Sequence, residues 1–137
     1  MNQFYVKRSE YVELQIPSNN LNATVYFPDL PNLRNTKTWG FSCYNVSSVP
    51  TAQSGNPNVP DADWKAAIVF LYFENGYFIA QPVSSFMNVF ANTYFELPVM
   101  LAGQNITWSK SYVQLLNTPI TNYQGKSFIF NVYYSLR

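Results

Sequence analysis

The sequence predicts an all-β protein, an antiparallel eight-stranded sandwich, on three observations. Short runs rich in Val, Ile, Phe, Tyr and Thr recur with turn signals about every ten residues. No alternation of strands with helical patterns is present. One stretch, Ala66 to Val83 (AAIVFLYFENGYFIAQPV), reads as two strands joined at Asn75-Gly76. Both ends of the 137 residues also read as strands, and no repeat or linker divides them, so 1–137 is expected to form one domain. Eight strands in two sheets with Greek-key connections make a single jelly roll. That arrangement is preferred to an immunoglobulin-like sandwich because a Cys pair is missing and the loops are long.

Taken in order, Phe4 to Val6 and Tyr11 to Ile16 read as an opening strand pair or one bent strand, with Val12, Leu14 and Ile16 alternating against Glu13 and Gln15. Pro17-Ser18-Asn19-Asn20 ends it. Asn22 to Phe27 is a short strand stopped by Pro28, and the following PDLPNLRNTK, with two prolines and no periodicity, reads as loop. Trp39 to Val49 alternates Phe41 and Cys43 against polar neighbours, as a half-buried strand does. Pro50 to Asp63 holds three prolines, a glycine and almost no large apolar side chain; irregular segments of that length are usually functional or mobile.

In the central hairpin, a two-residue type I′ turn at Asn75-Gly76 sets Glu74 opposite Tyr77, Phe73 opposite Phe78, Tyr72 opposite Ile79, Leu71 opposite Ala80 and Phe70 opposite Gln81. Val69, Leu71, Phe73, Phe78 and Ala80 then share one side, and Ile68, Phe70, Tyr72, Ile79 and Val83 the other. Both sides are apolar, whereas a solvated antiparallel sheet usually keeps one face polar. The second side is therefore expected to meet another subunit, with Phe70, Tyr72, Ile79 and, from the last strand, Tyr133 as interface residues. After the hairpin, Ser84 to Asn92 fits a short helix, and Pro98 makes Tyr94 to Met100 an edge or bent strand. Asn105 to Trp108 and Tyr112 to Leu116 flank a tight connection at Ser109-Lys110-Ser111. Phe128 to Tyr134 closes the chain, with Phe128, Phe130, Val132 and Tyr134 on one face.

Composition favours assembly over catalysis. Hydrophobic residues make up 47% and aromatics 18%, while charged residues are only 11% against about 25% in soluble domains. Polarity comes from Asn, Gln, Ser and Thr, which suit a surface covered by another subunit because they carry no buried-charge penalty. A net charge of +1 offers no field for nucleic acid, and Lys7-Arg8 is the only local basic pair. The chain has no His, which removes Ser-His-Asp, Cys-His and His-metal sites together. Seven carboxylates remain, Glu10, Glu13, Asp29, Asp61, Asp63, Glu74 and Glu96, and nothing in their spacing pairs two of them across a cleft. Asp61-Ala62-Asp63 lacks the rest of a calcium loop, and 5 glycines form no phosphate cradle. No enzyme, catalytic residue, metal or cofactor is expected. Cys43 is the sole cysteine and reads as a small buried hydrophobe. Sequons begin at Asn22, Asn45 and Asn105, but charges stand where a signal peptide needs an apolar core, and no run is long enough for a membrane helix. Trp39, Trp64 and Trp108 raise an alternative, a carbohydrate-binding or adhesin sandwich that stacks sugars on Trp64 or Trp108.

The segment FELPVMLAGQNITWSKSYVQLLN, followed by the closing strand SFIFNVYYSLR, resembles the second half of small single jelly-roll virion proteins, such as the vertex (penton) and minor capsid proteins of tailless icosahedral bacteriophages. The likeness covers about the last third of the chain and lies in low charge, abundant Asn and Tyr, and the strand ending NVYYSLR. It implies a structural virion protein made in the host cytoplasm, assembled as a homo-oligomeric ring, a pentamer ahead of a trimer, against other capsid proteins. It carries over no catalytic residue.

Overall fold

In the computed structural model, which describes residues 8–43, 66–86, 95–98, 100–116 and 119–137, the first strand obeys its alternation residue by residue. Val12, Leu14 and Ile16 are buried and Tyr11, Glu13 and Gln15 exposed, because successive side chains of a strand point to opposite faces. The strands are β1 (Arg8–Gln15), β2 (Thr24–Tyr26), β3 (Thr36–Cys43), β4 (Ile68–Tyr72), β5 (Phe78–Pro82), β6 (Phe95–Glu96), β7 (Tyr112–Gln114) and β8 (Ser127–Leu136). They form two antiparallel sheets, ordered β1-β8-β3-β6 and β2-β7-β4-β5. The first sheet is built on three strands of eight to ten residues, to which β6 adds a two-residue edge. Among the described residues helix is confined to short turns, which include Val83–Phe86 and the 3-10 turns Pro31–Leu33, Trp108–Lys110 and Ile120–Tyr123.

The two sheets share one core. Phe128, Phe130, Val132 and Tyr134 of β8 all face it, as their spacing predicts. Phe130 stacks on Phe41 of β3 at 5.0 Å between ring centres and lies 5.5 Å from Phe27, which follows β2. Trp108 meets Phe27 edge-on at 5.1 Å, and Phe86, on the short helix, meets Phe41 the same way at 5.1 Å. Such pairs add specific geometry to the area they bury. Cys43 lies in this core, where desolvation pushes its thiol pKa up, so it is the small buried hydrophobe expected.

Several boundaries move. The strand expected from Trp39 begins at Thr36, whose buried hydroxyl donates to the Leu33 carbonyl at 2.8 Å, and part of the expected loop before it is the 3-10 turn Pro31–Leu33. The β3–β8 register shifts at a bulge between Thr38 and Gly40, where the Trp39 indole N–H donates to Ser135 Oγ at 2.9 Å. The short helix is Val83–Phe86, at the start of its predicted range. The readings of Phe4 to Val6, the end of Trp39 to Val49, Pro50 to Asp63 and the rest of Ser84 to Asn92 lie outside the described residues.

The hairpin itself is shifted by one residue. Its pairs are Tyr72 with Phe78, Leu71 with Ile79, Phe70 with Ala80 and Val69 with Gln81. Phe73 closes the ladder through its N–H to the Tyr77 carbonyl at 2.9 Å, and the Gly76 N–H returns to the Phe73 carbonyl at 2.9 Å. The loop is thus Glu74-Asn75-Gly76: Gly76 alone has positive φ, +88°, while Asn75 does not. That matches the three-residue loop with a left-handed glycine rather than a type I′ turn. The cause is tertiary. Glu74 N–H, which a two-residue turn would spend on Tyr77, donates instead to the Asn105 carbonyl at 3.0 Å, and Asn75 N–H donates to Gln104 Oε1 at 3.3 Å. Segment 100–107 also joins β3, through Thr38 N–H to the Gln104 carbonyl and Gly103 N–H to the Thr38 carbonyl, and so straps both sheets at one end.

A slip of one exchanges every side chain of β5. Ile79 packs toward the core and Phe78 and Ala80 turn outward, reversing the expectation for all three, while Val69, Leu71 and Phe73 stay buried as expected. Val83, expected on the outer side, is buried because the chain turns into the helix there.

At the same end Arg137 and Glu74 form an ion pair, each about one-third exposed. The hydrogen bond from Arg137 holds the Glu74 carboxyl below its ordinary pKa, against partial desolvation, with the Asn105 backbone adding to the effect. A carboxyl depressed in the folded state stabilises above its unfolded pKa, and that stabilisation is lost as pH falls through the folded value.

Two outcomes follow for urea unfolding. Leu71→Ala should cost about 2 to 5 kcal/mol and Phe78→Ala less than about 1 kcal/mol, whereas the two-residue register would make Phe78 the costly one. Glu74→Gln should lower the urea midpoint at neutral pH by a small amount that vanishes in acid below the carboxylate range; an equal loss at both pH values would rule out the ion pair as its cause.

Candidate functional site

The outward face of the β2-β7-β4-β5 sheet is aromatic. Strand register lines up Tyr26, Tyr112, Phe70 and Ala80 as one row across all four strands, and Tyr72 with Phe78 beside it. Their sequence neighbours Val25, Val113, Val69 and Leu71 are buried in the core, so period-two alternation turns these rings away from it. Tyr26 is 57% exposed and Phe78 51%, while Tyr112, Phe70 and Tyr72 are half-buried.

Four of the rings close a circuit. Centre-to-centre distances are 4.6 Å for Phe70 and Tyr112, 6.2 Å for Phe70 and Phe78, 5.0 Å for Phe78 and Tyr72, and 6.2 Å for Tyr72 and Tyr112. Interplanar angles lie between 20° and 33°, so the rings stand side by side on the sheet with their flat faces largely turned to one another. Tyr26 leans on Tyr112 at 5.4 Å with a 59° tilt. The backbone beneath is held by Tyr72 N–H donating to the buried Ser111 Oγ at 3.0 Å, which donates to the Thr107 carbonyl at 3.0 Å. Burial, then the neighbouring Tyr72 phenol, raise the Tyr112 phenol above its ordinary pKa. The next row, Thr24, Gln114, Ile68 and Pro82, is neutral, with the Thr24 hydroxyl donating to Gln114 Oε1 at 3.0 Å. No charged side chain stands in these rows.

Of the expected interface residues, Phe70 and Tyr72 belong to this cluster. Ile79 does not, for the reason of register given above. Tyr133 lies on the outward face of the other sheet, half-buried, its hydroxyl accepting from Asn131 Nδ2 at 3.3 Å, so it is on the opposite side of the molecule. Trp108, offered for sugar stacking, is a core residue at 6% exposure; Trp64 lies outside the described residues. Sequence reasoning missed Tyr26, Tyr112 and Phe78. The signal for the two tyrosines was the alternation T-V-Y and Y-V-Q, in which a central valine claims the core.

Carboxylates are dispersed among the described residues: Glu10 accepts from Asn32, Glu13 from Ser127, Asp29 pairs with Arg34 and Glu74 with Arg137. No group of three metal-ligating side chains occurs among the described residues, and no helix among them is long and apolar enough to cross a membrane. The Asn105 sequon side chain faces inward, its Oδ1 accepting from the Thr36 N–H at 3.4 Å.

Comparison with known proteins finds no matching family model, no matching curated protein and no matching solved structure.

Phenol titration tests the cluster. Tyr72→Phe should bring the Tyr112 midpoint down toward the ordinary phenol value in ultraviolet difference spectra, with Tyr112→Phe identifying the signal; an unmoved midpoint would remove Tyr72 as a cause. Because the folded phenol is raised, its stabilisation is present below the unfolded pKa and is lost as pH rises through the folded one.

Proposed function

We propose that the chain is a structural virion protein, a capsid or vertex (penton-type) subunit with a single jelly-roll fold that self-assembles into a homo-oligomeric ring. The observation that carries this reading is the aromatic cluster Tyr26, Tyr112, Phe70, Tyr72 and Phe78, uncharged and part-exposed on one sheet. Exposed apolar patches of this kind mark interaction sites, and rings already packed on one another lose little side-chain freedom on docking. Each further Phe or Tyr buried contributes roughly 1.5 to 3 kcal/mol, so a few such positions suffice to hold a ring. The interleaved strand orders β1-β8-β3-β6 and β2-β7-β4-β5 support the jelly roll, since each sheet takes strands alternately from the two halves of the chain.

The alternative, a glycan-binding module, fits less well. Sugar rings stack on open aromatic faces, and here Phe70 and Tyr112, and Tyr72 and Phe78, turn those faces to each other. A protein surface, in contrast, covers ring edges and hydroxyl tips together.

Tyr72→Lys should break the oligomer and leave the fold intact, because the side chain lies on the outer side of its sheet and not in the core. Light scattering of the wild type at micromolar concentration reads the assembly. A monomeric wild type would overturn the proposal, and tryptophan quenching across a glycan panel would favour the alternative.

A further inference from the structure

We infer that Asn75 is a self-modification site, converting without an enzyme to aspartate and isoaspartate at the tip of the hairpin that positions the aromatic face. Three observations carry this. Asn75 is the one asparagine in the chain followed by glycine, so the attacking nitrogen has no side chain beside it, and even a Cβ placed on Gly76 would meet no other part of the protein within 4 Å. Both residues are exposed, giving hydroxide and water access. Finally, the Asn75 side chain turns forward along its own backbone: its Oδ1 accepts from the Tyr77 N–H at 3.1 Å, which holds the side-chain amide beside the intervening Gly76 peptide.

The chemistry balances with water alone. Gly76 N gives up its proton to hydroxide and attacks Asn75 Cγ, forming an N–Cγ bond and placing negative charge on Oδ1. The Tyr77 N–H already points at that oxygen and stabilises the charge as it develops. Collapse breaks the Cγ–Nδ2 bond, and Nδ2 takes up a proton and leaves as ammonia. Water then opens the five-membered imide at either carbonyl. Opening at Cγ yields aspartate with the main chain intact, and opening at the main-chain carbonyl yields isoaspartate, whose backbone runs through the former side chain. The step that limits access is release of the Gly76 N–H from the Phe73 carbonyl, a single bond at an exposed hairpin tip, where local opening is cheapest.

The product alters what the turn controls. Isoaspartate lengthens the backbone inside the loop that sets the β4-β5 register, and either product puts a carboxylate next to Glu74, which is held by Arg137. The formal net charge falls from +1 to zero, the condition in which association and precipitation are promoted.

The test ages the folded full chain in mildly alkaline buffer at physiological temperature, with ion-exchange separation, peptide mapping and methyl transfer by isoaspartyl methyltransferase. Acidic species should accumulate, map to the peptide containing positions 75 and 76, and accept methyl groups. Asn75→Gln, which must close a larger ring, should slow their formation at least about tenfold. The urea midpoint of Asn75→Gln, expected unchanged at this exposed position, separates slow chemistry from misfolding. Conversion of urea-unfolded chain with none in the folded chain would overturn the inference, as would acidic species that map elsewhere.

Discussion

The Phe73 carbonyl, by accepting the Gly76 N–H, settles which rings this protein shows to solvent. With that bond the loop has three residues, Phe78 stands across from Tyr72 and Ile79 goes inward; with a two-residue loop each would change places. The bond persists because its neighbours are engaged elsewhere. Glu74 and Asn75 donate to the 104–105 segment, which is anchored in turn to Thr38 of the other sheet. A turn at the edge of one sheet is therefore specified partly by contacts from the other.

That coupling gathers at one end of the molecule. There the strap 100–107, the Glu74–Arg137 pair, the bulge at Trp39 and Gly103 meet. Gly103 has a φ of +82°, which favours glycine, and a Cβ on it would come to 3.2 Å from the Trp39 ring, a tight contact that the indole would have to yield to. Between the sheets the core is continuous and aromatic, running from Phe86 through Phe41 and Phe130 to Phe27 and Trp108. Trp108 fills the space between sheets instead of serving a surface, which accounts for the failure of the sugar-stacking residue drawn from sequence. A tryptophan can anchor either place, and composition does not tell them apart.

Sandwich-wide features were legible where the period-two pattern was long. β1 and β8 run for eight and ten residues, and their inward sets, Val12 and Leu14, and Phe128, Phe130, Val132 and Tyr134, are those the alternation picks out. Short elements were less so. β2 and β7 have three residues each, so their alternation marks the central valine as inward without saying which strands pair, and the partner that puts Tyr26 beside Tyr112 lies almost ninety residues away. Phe70 and Tyr72 were found because β4 alternates over five residues, and Ile79 was misplaced because its face depends on loop length and not on its own strand.

What the amino-acid sequence determined alone is the set of locally encoded properties: β runs with alternating burial, a glycine-dependent turn, low charge and the absence of histidine chemistry. These depend on residues close in the chain or on composition, and need no knowledge of the fold. The tertiary structure decided the register of the central hairpin, the gathering of five aromatic rings from four strands onto one outward face, and the withdrawal of Trp108 into the core. Each turns on a hydrogen bond or a packing contact between segments distant in sequence, and a one-residue difference there reverses the side to which a side chain points.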